Sequence, residues 1–327
     1  FGGFCKLSLG LIEWLVAVFQ LVPWGHFWTA GPPGWGVALF YISLFLLVVY
    51  PETRIKRSWL PICLAVWLVF AWVIPVRCGS KSSFPASDEL VCTFLDVGHG
   101  SSVLLQLPDG KNILYDAGSL GSPNFGARSI AGALWYEGIQ HVDAVVISHA
   151  DVDHFNALPQ LVKQFSIDQV FVSYGMLKDR TPQVQELFAV LEARDVEVVP
   201  IAIGDQPFAS SQIRFDVLSP PEEGVPGNDN ANSIVWMIEY SGKRILLPGD
   251  LEEEGLSRLL ACNPVDVEIL MAAHHGSANS LPAKFVKWAS PRYVVISCGR
   301  NRVSESMNRD FSNSRSTVLR TDLDGAI

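Results

Sequence analysis

The chain has 327 residues, long enough for about two domains. Its net charge is −9, and residues 1–80 hold five cations against two acids, so the remainder carries −12. That balance speaks against broad phosphate-backbone binding, which needs a basic footprint, but not against phosphodiester chemistry at a site where bound cations supply local charge.

The opening is apolar, and a start at Phe1 reads as the interior of a longer polypeptide. Residues 9–24 form an apolar run interrupted by Glu13; residues 35–50 and 59–76 are free of charge. The last two approach the length that crosses a bilayer, roughly 17–25 residues. A run this short taken alone is more often a buried helix, but two flanking a short basic loop predict transmembrane helices. That loop, residues 51–58, carries Arg54, Lys56 and Arg57 against Glu52 and reads as cytoplasmic, placing the chain beyond residue 76 outside the cell membrane. The six cysteines show no paired C-x-x-C spacing, and an oxidising compartment would permit a bridge between Cys78 and Cys92. The expected domains are residues 1–77 (transmembrane helices), 78–89 (linker) and 90–327 (a globular domain).

In the globular part, residues 90–95 read as a strand, and 102–107 and 112–115 as two more joined by a Pro108-Asp109-Gly110 turn. A helix comes next at 129–137, then a buried strand at 142–148. Helices are expected at 157–164, 184–194, 253–260 and 282–288, and strands at 169–172, 196–201, 213–218, 233–240, 244–248, 267–271 and 293–297. Interleaving of this kind predicts sheets with helices packed outside them.

Three of these strands end on side chains that bind metal. Strand 142–148 leads into His149-Ala150-Asp151-Val152-Asp153-His154, with two imidazoles and two carboxylates within six residues. Imidazole with carboxylate suits zinc, manganese or iron better than calcium or magnesium. An isolated loop of this type is usually solvated, with a residue such as Asp153 capping the next helix. Here two further strand ends match it. One ends on Gly249-Asp250, putting a carboxylate at the sheet edge, and the other on His274-His275-Gly276-Ser277. Adjacent histidines after a strand point different ways, so one is expected to bind metal and the other to face substrate.

These segments resemble the metallo-β-lactamase superfamily. Phe94-Leu95-Asp96-Val97-Gly98-His99-Gly100, Tyr115-Asp116-Ala117-Gly118, Asn230-Ala231-Asn232-Ser233 and Leu319-Arg320-Thr321-Asp322 narrow the resemblance to the C-terminal domain of ComEC-type competence proteins, the membrane channels of DNA uptake. The resemblance implies a four-layer αββα sandwich preceded by transmembrane helices. It also implies a nuclease with one or two divalent ions, manganese or zinc, that cuts the non-transported DNA strand beside other DNA-uptake proteins at a bacterial inner membrane. Carried over by position, it makes His149, Asp151, Asp153, His154, Asp250 and His274 metal-site residues, with Asp250 bridging. Asp153 or Asp151 would accept the nucleophile's proton, and His275 would stabilise charge on the scissile phosphate, with His274 the alternative for that contact. Asp96 and Asp116 would orient imidazoles, and Asn230 lies near a further ligand position.

The chain departs from the pattern in three places. Asp151 stands where the superfamily commonly has histidine, and Ser101 where competence proteins carry an acid. The stretch 300–307 holds no histidine, although the family usually has a Gly-His-Pro ligand there. Two other functions therefore stand beside the nuclease: a hydrolase of small or cell-envelope esters, favoured by the acidic surface, and a structural module of the channel without turnover.

Overall fold

The structure is a computed structural model and describes residues 2–21, 34–49, 67, 88–208, 212–299 and 316–327. It forms two compact units, Phe1–Ser80 and Lys81–Ile327. In the first, helices α1 (Gly2–Leu21) and α2 (Gly34–Val49) turn large apolar side chains outward. Leu9, Trp14, Phe19, Trp35, Tyr41 and Phe45 are each more than half exposed. Among the described residues no helix is long and apolar enough to cross a membrane. Helix α2 has only 16 residues, while α1, with 20, carries Lys6 and Glu13. The run at 59–76, apart from Trp67, and the basic loop 51–58 lie outside the described residues.

The second unit contains two six-stranded mixed sheets. The first takes β1 (Val91–Phe94), β2 (Val103–Gln106), β3 (Asn112–Tyr115), β4 (His141–Val146), β5 (Ser166–Ser173) and β6 (Glu197–Ile201) in that order. Strands β1 to β3 are antiparallel, and β3 to β6 are parallel. The second takes β7 (Ile213–Ser219), β8 (Val235–Tyr240), β9 (Lys243–Leu247), β10 (Ile269–Met271), β11 (Tyr293–Ile296) and β12 (Thr317–Arg320), again antiparallel for three strands and then parallel. Each half thus repeats one topology.

Alternation along the strands builds the layers. Val103, Leu105, Ile113, Tyr115, Ala144 and Val146 point to the other sheet, where they meet Phe215, Trp236, Ile245 and Leu247 in one core. Their neighbours Leu104, Leu114 and Val145 point the opposite way. There they meet helices α3 (Pro123–Tyr136), α5 (Leu158–Leu161) and α7 (Pro182–Glu192). Leu246, Leu270, Val294 and Ile296 likewise pack on α8 (Glu253–Ala261) and α9 (Pro282–Ala289). Sheets covered on both faces read as unbroken apolar runs, which is why these strands are visible in the sequence.

The differences are local. The helix expected at 129–137 starts at Pro123, which supplies a ready-made first-turn φ. The helix expected at 157–164 is a single turn, α5, and another single turn, α4 (Val152–Phe155), precedes it. Helix α6 (Tyr174–Lys178), strand β12 and the turn α10 (Thr321–Asp324) had no sequence-based expectation. Cys92 is a free thiol, and its burial pushes its pKa up to about 12; Cys78 lies outside the described residues.

Candidate metal centre

Parallel strands of both sheets end at one edge, the usual place for ligands in α/β proteins. There β3 runs into Asp116, β4 into Ser148 and His149, β9 into Asp250, β10 into His274 and His275, and β11 into Ser297. Helix α4 returns Asp153 and His154 to the same point. The loop carrying them is pinned by backbone hydrogen bonds from Ser101 N to Asp153 O and from Ala117 N to His154 O. Gly118 makes this approach possible, because a Cβ there would lie 2.3 Å from the Asp153 carbonyl carbon. Asp151 precedes α4, but its carboxylate makes no capping hydrogen bond, so the loop's acids are not spent on the helix end.

Ser148 and Asp116 fix the imidazoles. Asp116, buried and at φ 61°, accepts from Ser148 N at 2.7 Å and from Ser148 Oγ at 3.0 Å. Its Oδ2 also takes His154 Nδ1 at 2.8 Å, and Ser148 Oγ lies 2.9 Å from His149 Nδ1. With the hydroxyl donating to Asp116, both Nδ1 atoms are left as donors and each Nε2 faces the centre. His275 is oriented similarly, its Nδ1 donating to Ser297 O at 2.8 Å.

Around the centre, Asp250 Oδ1 lies 3.3 Å from His154 Nε2, and Asp250 Oδ2 lies 3.6 Å from His275 Nε2. Asp153 Oδ2 is 3.5 Å from His275 Nε2. Donors each about 2.1 Å from one ion at a tetrahedral angle stand about 3.4 Å apart, so these gaps suit a metal better than direct hydrogen bonds. Two groups of donor atoms result, each within 4.8 Å: His149, His154 and Asp250, and His99, Asp153 and His275. The Nε2 atoms of His149, His154 and His275, together with Asp250 Oδ1, are buried without a hydrogen-bond partner. Buried polar atoms are ordinarily satisfied, and four orphans facing one point fit a bound cation.

The electrostatics agree. Burial alone would favour a neutral Asp250, yet His154 and His275 hold its carboxyl well below the usual range. Burial works against charging His154, but Asp250 and Asp116 outweigh it and raise the imidazole well above its ordinary value. Burial likewise opposes ionisation of Asp153, which the neighbouring His275 imidazole nonetheless holds down at about 2. Buried carboxylates here demand positive charge at the centre.

The structure brings His149, Asp153, His154 and Asp250 together and places the remaining candidates differently. His275, not His274, joins a donor group. Both residues have left-handed backbone (φ 53° and 46°), and this turn sends His274 to Glu252, to which its Nδ1 is hydrogen-bonded. Its Nε2 is 3.8 Å from Asp250 Oδ2, and its side chain is one-third exposed. Asp151 is half exposed, 3.4 Å from His149 Nε2, and the imidazole beside it lowers its pKa. Asp96 is exposed and accepts from Gly98 N within its own loop. Asn230 is buried and donates to Glu252 at 3.5 Å, supporting the group that holds His274. Sequence reasoning missed Ser148, Glu252, Ser297 and His99 as members of the site. Ser148 directly adjoins His149, Glu252 lies two residues past Asp250, and His99 lies within the segment 94–100; only Ser297 stood apart from the recognised motifs.

Two mixed sheets enclosed by helices, with imidazoles and carboxylates at their common edge, define a metal-dependent hydrolase fold. Residues 95–300 match the family model for the metallo-beta-lactamase superfamily, and the chain belongs to that superfamily. It is 25% identical over 312 residues to ComE operon protein 3 of Bacillus subtilis (strain 168), covering 88% of this chain and 38% of that protein. It is 26% identical over 305 residues to competence protein ComA of Neisseria gonorrhoeae, covering 87% of this chain and 40% of that one. The chain thus spans less than half the length of these relatives. The crystal structure of the metallo-beta-lactamase fold protein YhfI from Bacillus subtilis aligns at TM-score 0.49 and 14% identity, over 71% of this chain and 96% of that one.

Proposed function

We propose that residues 90–327 form a metal-dependent phosphodiesterase that cuts single-stranded DNA in a membrane protein of DNA uptake. Residues 1–77 would be its membrane-associated segment and 78–89 the connection. The observation that carries the hydrolase reading is the set of four buried, unpartnered donor atoms at the strand ends. The DNA reading rests on similarity to competence proteins over most of the chain. The exposed apolar side chains of α1 and α2 favour a lipid environment over water.

His149, His154 and Asp250 would hold one divalent ion, manganese or zinc. When bound, such a cation supplies charge neutralisation at a phosphoryl oxygen and an acidified water. Asp116 and Ser148 hold His154 and His149 in position, so that little reorganisation accompanies binding. Asp151, ionised and half exposed beside His149, is placed to accept a hydrogen bond from the attacking water. His274, partly exposed and braced by Glu252 and Asn230, is placed to donate to the substrate phosphate. The acidic surface favours a second substrate class, small or cell-envelope esters, which bind without a basic track.

The test is cleavage of end-labelled single-stranded DNA by the full chain in detergent, with manganese or zinc, beside His154→Ala. Metal-dependent cutting that the substitution abolishes supports the nuclease. Metal binding without DNA cleavage, but with turnover of a chromogenic phosphodiester, moves the function to small esters. A folded chain that binds no metal removes the catalytic reading and leaves the structural module.

A further inference from the structure

Strands β3 and β4 are parallel, so helix α3 joins the ligand edge of one to the opposite end of the other, and its first turn begins beside the metal centre. Phe125 in that turn is half exposed and stands against the loop after β1: a Cβ on Gly98 would lie 3.6 Å from Phe125 Cε1. Arg128 follows three residues later, a spacing that puts the two side chains on one helix face. It is exposed, its Nε donates to Asn124 O at 3.0 Å, and it has no ion-pair partner among the described residues. We infer that Phe125 and Arg128 form a nucleotide subsite beside the metal centre, Phe125 stacking on an unpaired base and Arg128 taking a phosphate of the same strand. This rests on the nuclease reading proposed above and deepens it by naming what selects a single strand.

The platform is tied firmly to the loops of the site. Asn156, two residues past His154, clamps the backbone of Ser119: Ser119 N donates to Asn156 Oδ1 at 3.0 Å, and Asn156 Nδ2 donates to Ser119 O at 2.7 Å. Ser119 Oγ donates to Val97 O at 2.8 Å, and Leu120 N donates to His99 O at 2.5 Å. Gly126 lets α3 close on this loop, since a Cβ there would lie 3.0 Å from Ser119 Cβ and 3.5 Å from Ala157 Cβ. The first turn of α3 is thereby held in register with the loops that carry His99 and His154.

Charge favours this flank for the strand. On the β5 flank, burial raises the carboxyl of Asp229, and the nearby charges of Asp151 and Asp179 raise it further, so acids crowd together there. A phosphate chain is repelled from such a cluster and finds Arg128 on the β3 flank, where Asp96 has one carboxylate oxygen engaged by Gly98 N. In an acidic domain without a basic track, stacking supplies attraction that phosphate contacts do not. An aromatic face takes any base, but only one that is not already stacked in a duplex.

The experiment is equilibrium binding rather than turnover. Fluorescein-labelled oligothymidylate, and a strand of equal length in which every nucleotide is abasic, are titrated with the full chain in detergent. Excess chelator blocks cleavage, and anisotropy reads the Kd. Phe125→Ala is expected to raise the Kd of oligothymidylate at least ~5-fold, the lower end for one base stacked on an aromatic ring, and to leave the abasic strand unchanged. Phe125→Trp is expected to keep or tighten wild-type binding. Arg128→Gln is expected to weaken both strands alike and to reduce the slope of log K against log salt by about 0.7, the share of one phosphate on a single strand. Matching circular dichroism and melting temperature show that the variants are folded. Wild type that binds both strands equally, or Phe125→Ala that loses nothing or loses both alike, overturns the stacking platform and leaves the proposed nuclease intact. An unchanged salt slope in Arg128→Gln overturns the phosphate contact. Wild type that binds neither strand overturns this inference together with the DNA reading, while the metal-dependent hydrolase stands.

Discussion

The molecule carries His/Asp groups at both ends of strand β4, and they are chemically unlike. At the ends of β4 and β9, His154 and Asp250 are 0 and 4% exposed in their side chains, and their facing atoms have no hydrogen-bond partner. At the starts of β4 and β5, His141 pairs with Asp168 at 3.2 Å and Asp143 at 3.9 Å, with side chains 47, 60 and 22% exposed. Donor atoms in both groups lie within 4.8 Å of one another, so spacing alone does not tell them apart. Burial does. At the exposed end water solvates each charge and the pairing is worth little, whereas at the buried end unpaired charge is costly and a cation or a proton must answer it.

The sharpest way to break that contrast is to remove the shared carboxylate. Asp250→Asn is expected to abolish stoichiometric metal retention and to lower any metal-dependent hydrolysis by at least ~100-fold, the upper end of what even indirect support of a ligand is worth. Elemental analysis of the dialysed variant checks it; retention of full metal content would show that the buried group is only a structural ion-pair cluster. Asp116→Asn tests the layer behind. It leaves every proposed ligand in place but loses the charge that sets the His154 tautomer, so metal affinity should fall roughly 10–100-fold. A chelator-competition titration reads this directly, and an unchanged affinity would mean that Ser148 alone orients the imidazole.

Gly118→Ala probes the packing that brings the ligand loop to the site. The added Cβ meets the Asp153 and His154 backbone at 2.3–2.5 Å, which no flexible side chain can relieve. The expected cost is about 3 kcal/mol, at the upper end for overpacking, equivalent to roughly 6–12 °C in Tm for a domain of this size. A thermal melt with an unshifted midpoint would show that the loop can move away, and that its close approach is not needed for folding.

The legible part of the fold and site obeys the same physics. Strands buried on both faces appear as apolar runs, and each run that stops at His149, Asp250 or His274-His275 marks the edge where polar groups collect. Which histidine faces inward was not legible, because two successive left-handed residues set by the surrounding turn decide it. Nor was the contribution of His99 or Ser297, which reach the site from strands far apart in the chain and join only when the two sheets pack. Asp96, a carboxylate near a motif in sequence, accepts from its own backbone at Gly98 N, a local turn the motif alone did not show.

The smallest effect gives the comparison its control. His141→Ala removes the centre of the exposed group, whose carboxylates remain solvated; Asp143 also keeps its hydrogen bond from Asn112 N at 2.8 Å. Exposed ion pairs of this kind contribute about 0.2–1 kcal/mol, so the melting temperature should move by no more than roughly 4 °C, and metal content should not change at all. Because the substitution removes an imidazole from a His/Asp group of similar donor spacing, it isolates burial as the variable. If metal content dropped by one equivalent, the exposed end would itself be a binding site, and ligand spacing would outrank desolvation in this fold. If it held, the four unpartnered atoms at the buried end would be what separates a metal centre from a surface ion pair.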